Sequence, residues 1–173
     1  MTDLHHDPVS EDFSTSPLAD GLSLVAWIFL LVALGAGVGI LFGADAWYDG
    51  LLKPTFNPPA SVFGPVWTAL YALMAVALWL VWRGRQGDSA MRRTALRLFW
   101  VQFVLNMAWS PLFFGLHNPG LAFVDICLLW MAVLATALAF GKVRPLAGYL
   151  LVPYVLWVSF ALVLNGTIWL MNL

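Results

Sequence analysis

Trp67 and Tyr71 stand four residues apart in the stretch GPVWTALYALM, a spacing that puts both rings on one side of a helix. Farther along, Gln102, Asn106 and Trp109 follow at steps of four and three, and Pro153, Trp157, Ala161 and Asn165 at steps of four. Indole and phenol faces stack on flat conjugated molecules, and an amide offers both a donor and an acceptor to orient one. All of these residues sit inside long apolar runs. Amides there are expensive unless paired, so the faces that carry them must look toward other helices. Two uses fit: interhelical hydrogen bonds that hold a bundle together, or the walls of a pocket with a few orienting polar groups. Spacing alone leaves both open.

The remaining reactive side chains support little chemistry. Asp125 is the acid within an apolar run, near one end of it, where partial hydration is expected. His117, in LHNPG, reads as a residue of a helix connection. His5 and His6 are adjacent but lack the further ligands that a metal site needs. The single cysteine, Cys127, reads as a small buried hydrophobe and excludes an internal disulfide. The sequence shows no nucleophile–base pair, metal-ligand cluster or phosphate-cradling glycine loop. No catalytic residue is therefore assigned with certainty, and no metal or required cofactor is expected.

The elements that position these residues follow from composition. Of 173 residues 62% are apolar and only 10% charged, with a mean hydropathy of +0.86. Soluble domains are about 45–50% apolar and about 25% charged, so the solvent of this chain is lipid. A hydrocarbon core of about 30 Å needs roughly 20 apolar residues per helix. Five segments qualify, at about 22–44, 62–82, 95–115, 121–140 and 146–170. The expected fold is an all-α membrane protein, a five-transmembrane-helix bundle, because open sheet edges cannot be left unpaired in lipid. Residues 1–20 carry five acids and no Lys or Arg, unlike a signal peptide, and read as a disordered acidic tail ahead of one domain, 21–173. Net charge is −1 and no basic stripe is present, which excludes nucleic acid as the expected partner.

Seven of the eight Lys and Arg residues flank the second and fourth connections; Lys53 alone lies on the other side. By the positive-inside rule the N-terminus is cytoplasmic and the C-terminus outside. Helical spans point to an inner, cell membrane, since outer membranes mostly carry barrels. Gly35, Gly39 and Gly43 form a four-residue stripe that suits close approach to a neighbouring helix or a second protomer. Between the first two spans lies WYDGLLKPTFNPP. Lys53-Pro54 and Asn57-Pro58-Pro59 stiffen it, because proline fixes its own φ and extends the preceding residue. Trp47 and Tyr48 are expected to anchor at the interface and Phe56 to point into the bundle, making loop 45–61 structured.

WYDGLLKPTFNPP, GPVWTALYALM, VLNMAWSPLFFG, FVD and VPYVLWVSFALVLN, in this order, resemble the TspO/MBR family, the tryptophan-rich sensory proteins of bacteria and the mitochondrial translocator protein. The resemblance covers all but the acidic tail. It implies a homodimeric five-helix bundle in which loop 45–61 is a lid, with Trp47, Tyr48, Lys53, Pro54, Phe56, Asn57, Pro58 and Pro59. Beneath it the resemblance implies an intramembrane pocket for porphyrins such as protoporphyrin IX or heme, bound as ligands. The implied pocket residues are Trp67, Asn106, Trp109, Trp157 and Ala161, with Trp67 and Trp157 candidates in light-dependent porphyrin breakdown; Tyr71 joins them through its helical neighbourhood with Trp67. Binding or sensing is the first function implied; photochemical degradation and transport of porphyrins or other small hydrophobic molecules are the alternatives. Phe56 and Leu121 stand where many or some relatives have tryptophan. The C-terminal sterol motif of animal members is not matched in LVLNGTIWLMNL, where Gly166 and Leu170 align with its key positions.

Overall fold

The computed structural model describes residues 16–84 and 89–173. Helix α1 (Pro17–Leu41) begins where Ser16 accepts a hydrogen bond from the Ala19 N–H at 3.2 Å and Pro17 occupies the first helical position. That start signal draws residues 17–20, expected to belong to the disordered tail, into the helix. The rest of the tail, with His5 and His6, lies outside the described residues. Asp20 bonds Arg83, tying the beginning of α1 to the end of α3 (Ala60–Arg83). α1 stops at Leu41, three residues earlier than expected, so Gly43 falls beyond it and the glycine stripe is cut short.

The connection from α1 to α3 contains its own short helix, α2 (Ala46–Gly50), capped by Asp45, whose carboxylate accepts from the Tyr48 N–H at 3.1 Å. α4 (Ser89–Ser110) runs into a π-helical turn, Pro111–Gly115. Pro111 has no N–H for the carbonyl one turn back, and the ladder reopens wide, with the Leu116 N–H reaching Pro111 O at 2.8 Å. α5 (Pro119–Val143) starts at Asn118, which caps the Leu121 N–H at 2.9 Å. The fifth span is broken into α6 (Pro145–Leu150) and α7 (Val152–Met171), as the Pro153 kink predicts.

Among the described residues five helical stretches are long and apolar enough to cross a membrane: α1, α3, α4 with its wide turn, α5, and α6 with α7. The most extensive helix pairs are α4 with α5, α5 with α7 and α1 with α3. One core fills the end of the bundle marked by the basic residues. There Phe99 stacks between Phe103 and Phe140, at 6.1 and 5.9 Å with near-parallel rings. Gly148 lies so close to Gly141 that a Cβ would come within 2.7 Å of its Cα, which lets α6 fold back on α5. A second cluster, Phe113, Ala122, Leu164 and Ile168, sits at the opposite end beneath the α1–α3 connection.

Candidate functional site

Between these two clusters lies a cavity of about 810 Å³. Trp67, Tyr71, Asn106, Trp109, Trp157 and Ala161 all line it. Their sequence separation is bridged by three helices, with Trp67 and Tyr71 on α3, Asn106 and Trp109 on α4, and Trp157 and Ala161 on α7. Trp67 stacks on Tyr71 at 5.5 Å with 28° between the planes, and Tyr154 closes on its edge at 6.3 Å. Phe63 meets Trp157 edge-on at 5.9 Å.

The inward amides are paired across helices. Tyr71 Oη donates to Asn106 Oδ1 at 2.8 Å. Trp109 Nε1 donates to Asn165 Oδ1 at 2.9 Å, and Asn165 Nδ2 donates in turn to Pro119 O at 2.9 Å. Gln102, away from the cavity, accepts from Tyr154 Oη at 3.0 Å. Both uses left open by the spacing therefore coexist: the same residues join helices and wall a cavity. Trp157 differs, because its buried indole N–H has no protein partner among the described residues. Asp125, expected to be partly hydrated near the helix end, is instead buried: it is 7% exposed, and one carboxylate oxygen lacks a partner among the described residues.

Tyr48, Lys53, Asn57, Pro58 and Pro59 line the same cavity from the α1–α3 connection, whereas Trp47, Pro54 and Phe56 do not. Trp47 stacks on His117 at 4.4 Å and meets Phe113 edge-on at 5.8 Å. Tyr48 packs against Phe113 and Phe114 at 6.1 and 5.4 Å. Trp47 and Tyr48 are thus fastened by aromatic contacts to the wide turn that follows α4 and to His117 just beyond it. Burial raises the Tyr48 phenol above its ordinary range. Asp45 also reaches His117 Nε2, at 3.0 Å, and its carboxyl is held below the usual range, first by the Tyr48 N–H. Leu52 is clasped by one amide from the end of α7: its N–H donates to Asn172 Oδ1 at 2.9 Å, and Asn172 Nδ2 donates to its carbonyl at 3.0 Å. Pro54 O accepts from the Asn57 N–H in a turn at 3.0 Å. Phe56 does not point inward; it is 46% exposed, edge-on to Phe160 at 6.4 Å.

Several contributors were not singled out from sequence. Tyr154 lies three residues before Trp157, and Phe63 four before Trp67, so helical spacing alone carried a signal for both. Asn172 carried none, since its partner is 120 positions away, and His117, read only as a residue of a helix connection, meets a partner 72 positions away.

Fold and cavity define a class: a five-span membrane bundle with an aromatic chamber roofed by the connection between its first and second spans. The chain belongs to the TspO/MBR family, whose model matches residues 27–170. It is 43% identical over 143 residues to the translocator protein of Homo sapiens, covering 81% of this chain and 85% of that one. It is 42% identical over 153 residues to the tryptophan-rich protein TspO of Chlorobaculum tepidum, covering 87% and 96%. The tryptophan-rich sensory protein of Cereibacter sphaeroides is 38% identical over 141 residues, covering 80% and 86%. The protein is a multi-pass integral membrane protein with a sensory or ligand-binding role, and its surroundings are lipid.

Proposed function

We propose that the protein binds a flat, conjugated tetrapyrrole, protoporphyrin IX or heme, in the cavity beneath residues 45–61. The observation that carries this reading is the aromatic wall itself: Trp67 stacked on Tyr71, with Trp109 and Trp157 in the same lining, around about 810 Å³. Ligand pockets span about 300 to about 1,000 Å³ and combine apolar walls with a few polar groups. Asn106 and the unpartnered Trp157 N–H are those groups here. The names of the relatives, translocator and sensory protein, fit a bound small molecule as cargo or signal. The protein sits in a cell membrane as a homodimer, its arginine-rich end cytoplasmic and residues 45–61 facing outward. That orientation rests on the clustering of Arg83, Arg92, Arg93 and Arg97 at one end.

Titration of the purified protein with protoporphyrin IX, heme and a sterol, read by tryptophan quenching, tests the reading. Saturable quenching by the tetrapyrroles is expected, weakened in the Trp67→Phe, Trp157→Phe double variant. Absence of saturation with either tetrapyrrole would sink it. The same samples under light separate the neighbouring readings: loss of bound porphyrin in the wild type alone marks degradation, and porphyrin counterflow in proteoliposomes marks transport.

A further inference from the structure

Aromatic walls have no need of charge, yet Lys53 and Asp49 both line the cavity. Lys53 is the single Lys or Arg among the lining residues. Lysines usually extend their ammonium into water. This one folds back: Nζ donates to the carbonyls of Asp49 and Leu51, each at 3.2 Å, and stands 4.5 Å from the centroid of the Tyr48 ring. Those two bonds leave one ammonium N–H over, and no carboxylate among the described residues pairs with it. Asn57 touches the same tyrosine, accepting from Tyr48 Oη through Oδ1 at 3.4 Å. Asn57 also belongs to the lining, and its NH2 group has no partner among the described residues. The roof thus offers a fixed cation over the Tyr48 ring and a spare amide donor beside its hydroxyl, above an apolar chamber.

We infer that Lys53 and Asn57 form an anion subsite that holds an ionised carboxylate of a ligand whose apolar body fills the cavity. This rests on the proposed binding role and narrows it to amphiphilic acids. A carboxylate there would receive a charge-assisted hydrogen bond from Nζ and a neutral one from the Asn57 amide. Both donors are already positioned, so little side-chain freedom is lost on binding. Asp49 lines the same rim and opposes the anion, so it sets how strongly the subsite attracts.

Protoporphyrin IX and its dimethyl ester share one macrocycle and differ in their carboxylates, which makes them the probes. Both are titrated into wild type, Lys53→Met and Asp49→Asn in one detergent, read by tryptophan quenching. The ratio between variants cancels the different partition of the probes into micelles. Wild type is expected to prefer the acid by about tenfold, in line with a hydrogen bond to a charged group. Lys53→Met should erase that preference by weakening the acid alone, and Asp49→Asn should enlarge it. Equal affinity for acid and ester in wild type would overturn the subsite while leaving tetrapyrrole binding standing. Equal weakening of both probes by Lys53→Met would overturn it as well, since Lys53 would then serve only the shape of the roof. If neither probe saturates, the binding role and the subsite fall together.

Discussion

α1 and α3 form two walls of one cavity and are held in opposite ways. α1 is the more apolar of the two, yet it buries only Leu31 and Gly35, whereas α3 buries eight residues from Leu70 to Val81. In water that ranking would be reversed. In lipid, apolar side chains gain nothing by leaving acyl chains, so apolarity marks exposure, and contact is marked by small residues and hydrogen bonds. α1 meets α3 through an absence of side chain at Gly35, into which Tyr71 fits. α3 meets α4 through a bond, Tyr71 to Asn106.

The largest way to break this contrast is Gly35→Leu. A Cβ there would fall 2.0 Å from Tyr71 Cε2, so the ring must leave and its bond to Asn106 with it. A loss of about 2–4 kcal/mol is expected from overpacking plus the orphaned amide oxygen, measured by unfolding in detergent. Gly39→Leu, where a Cβ meets nothing within 4 Å, should leave stability within about 0.5 kcal/mol and instead narrow the cavity. Equal losses at the two glycines would mean that α1 does not rest on Tyr71.

A smaller effect isolates the hydrogen bond. Tyr71→Phe keeps the ring and leaves Asn106 Oδ1 buried without its donor, for an expected loss of about 1–3 kcal/mol. Thr68→Val on the same helix removes a hydroxyl whose one partner among the described residues is Gly64 O, and should be nearly neutral. The difference between the two melting temperatures measures the interhelical share.

The smallest effect concerns the connection that joins the two walls. The folded-state carboxyl of Asp45 titrates below its ordinary value of 3.8, so its capping of α2 is fully present above that value. The cap is lost as pH falls through the lowered folded value. Hydrogen exchange at the Tyr48 amide should therefore be protected down to about pH 4 and quicken only in stronger acid. Asp45→Asn, an equally good cap that does not titrate, should abolish that response.

The spans, the basic end and the Pro153 break were legible because lipid thickness, charge asymmetry and proline act locally or by composition. The inward faces of Trp67 and Tyr71, and of Asn106 and Trp109, were legible for the same reason, since each lies within one helix. Which amide met which ring was not, because Tyr71 and Asn106 are 35 residues apart and Trp109 and Asn165 are 56. The glycine stripe misled in part: its period persists through Gly43, but α1 ends at Leu41 and a Cβ at Gly39 would touch nothing. Phe56 was expected to point into the bundle, and in the turn from Pro54 to Asn57 it lies outward instead.

The wide turn at Pro111–Gly115 makes chain length a structural variable at one place. Each residue of an α-helix advances the following side chains by about 100°. A turn closed five residues apart carries one residue more than an ordinary turn. Removing a single residue there would restore a regular helix and swing everything after it, His117 included, by about a quarter turn or more around the α4 axis. His117 would then lose Trp47 and Asp45 together. The hold of His117 on residues 45–61 is, in that sense, a matter of counting: its register depends on the one residue that the wide turn carries beyond a plain helix.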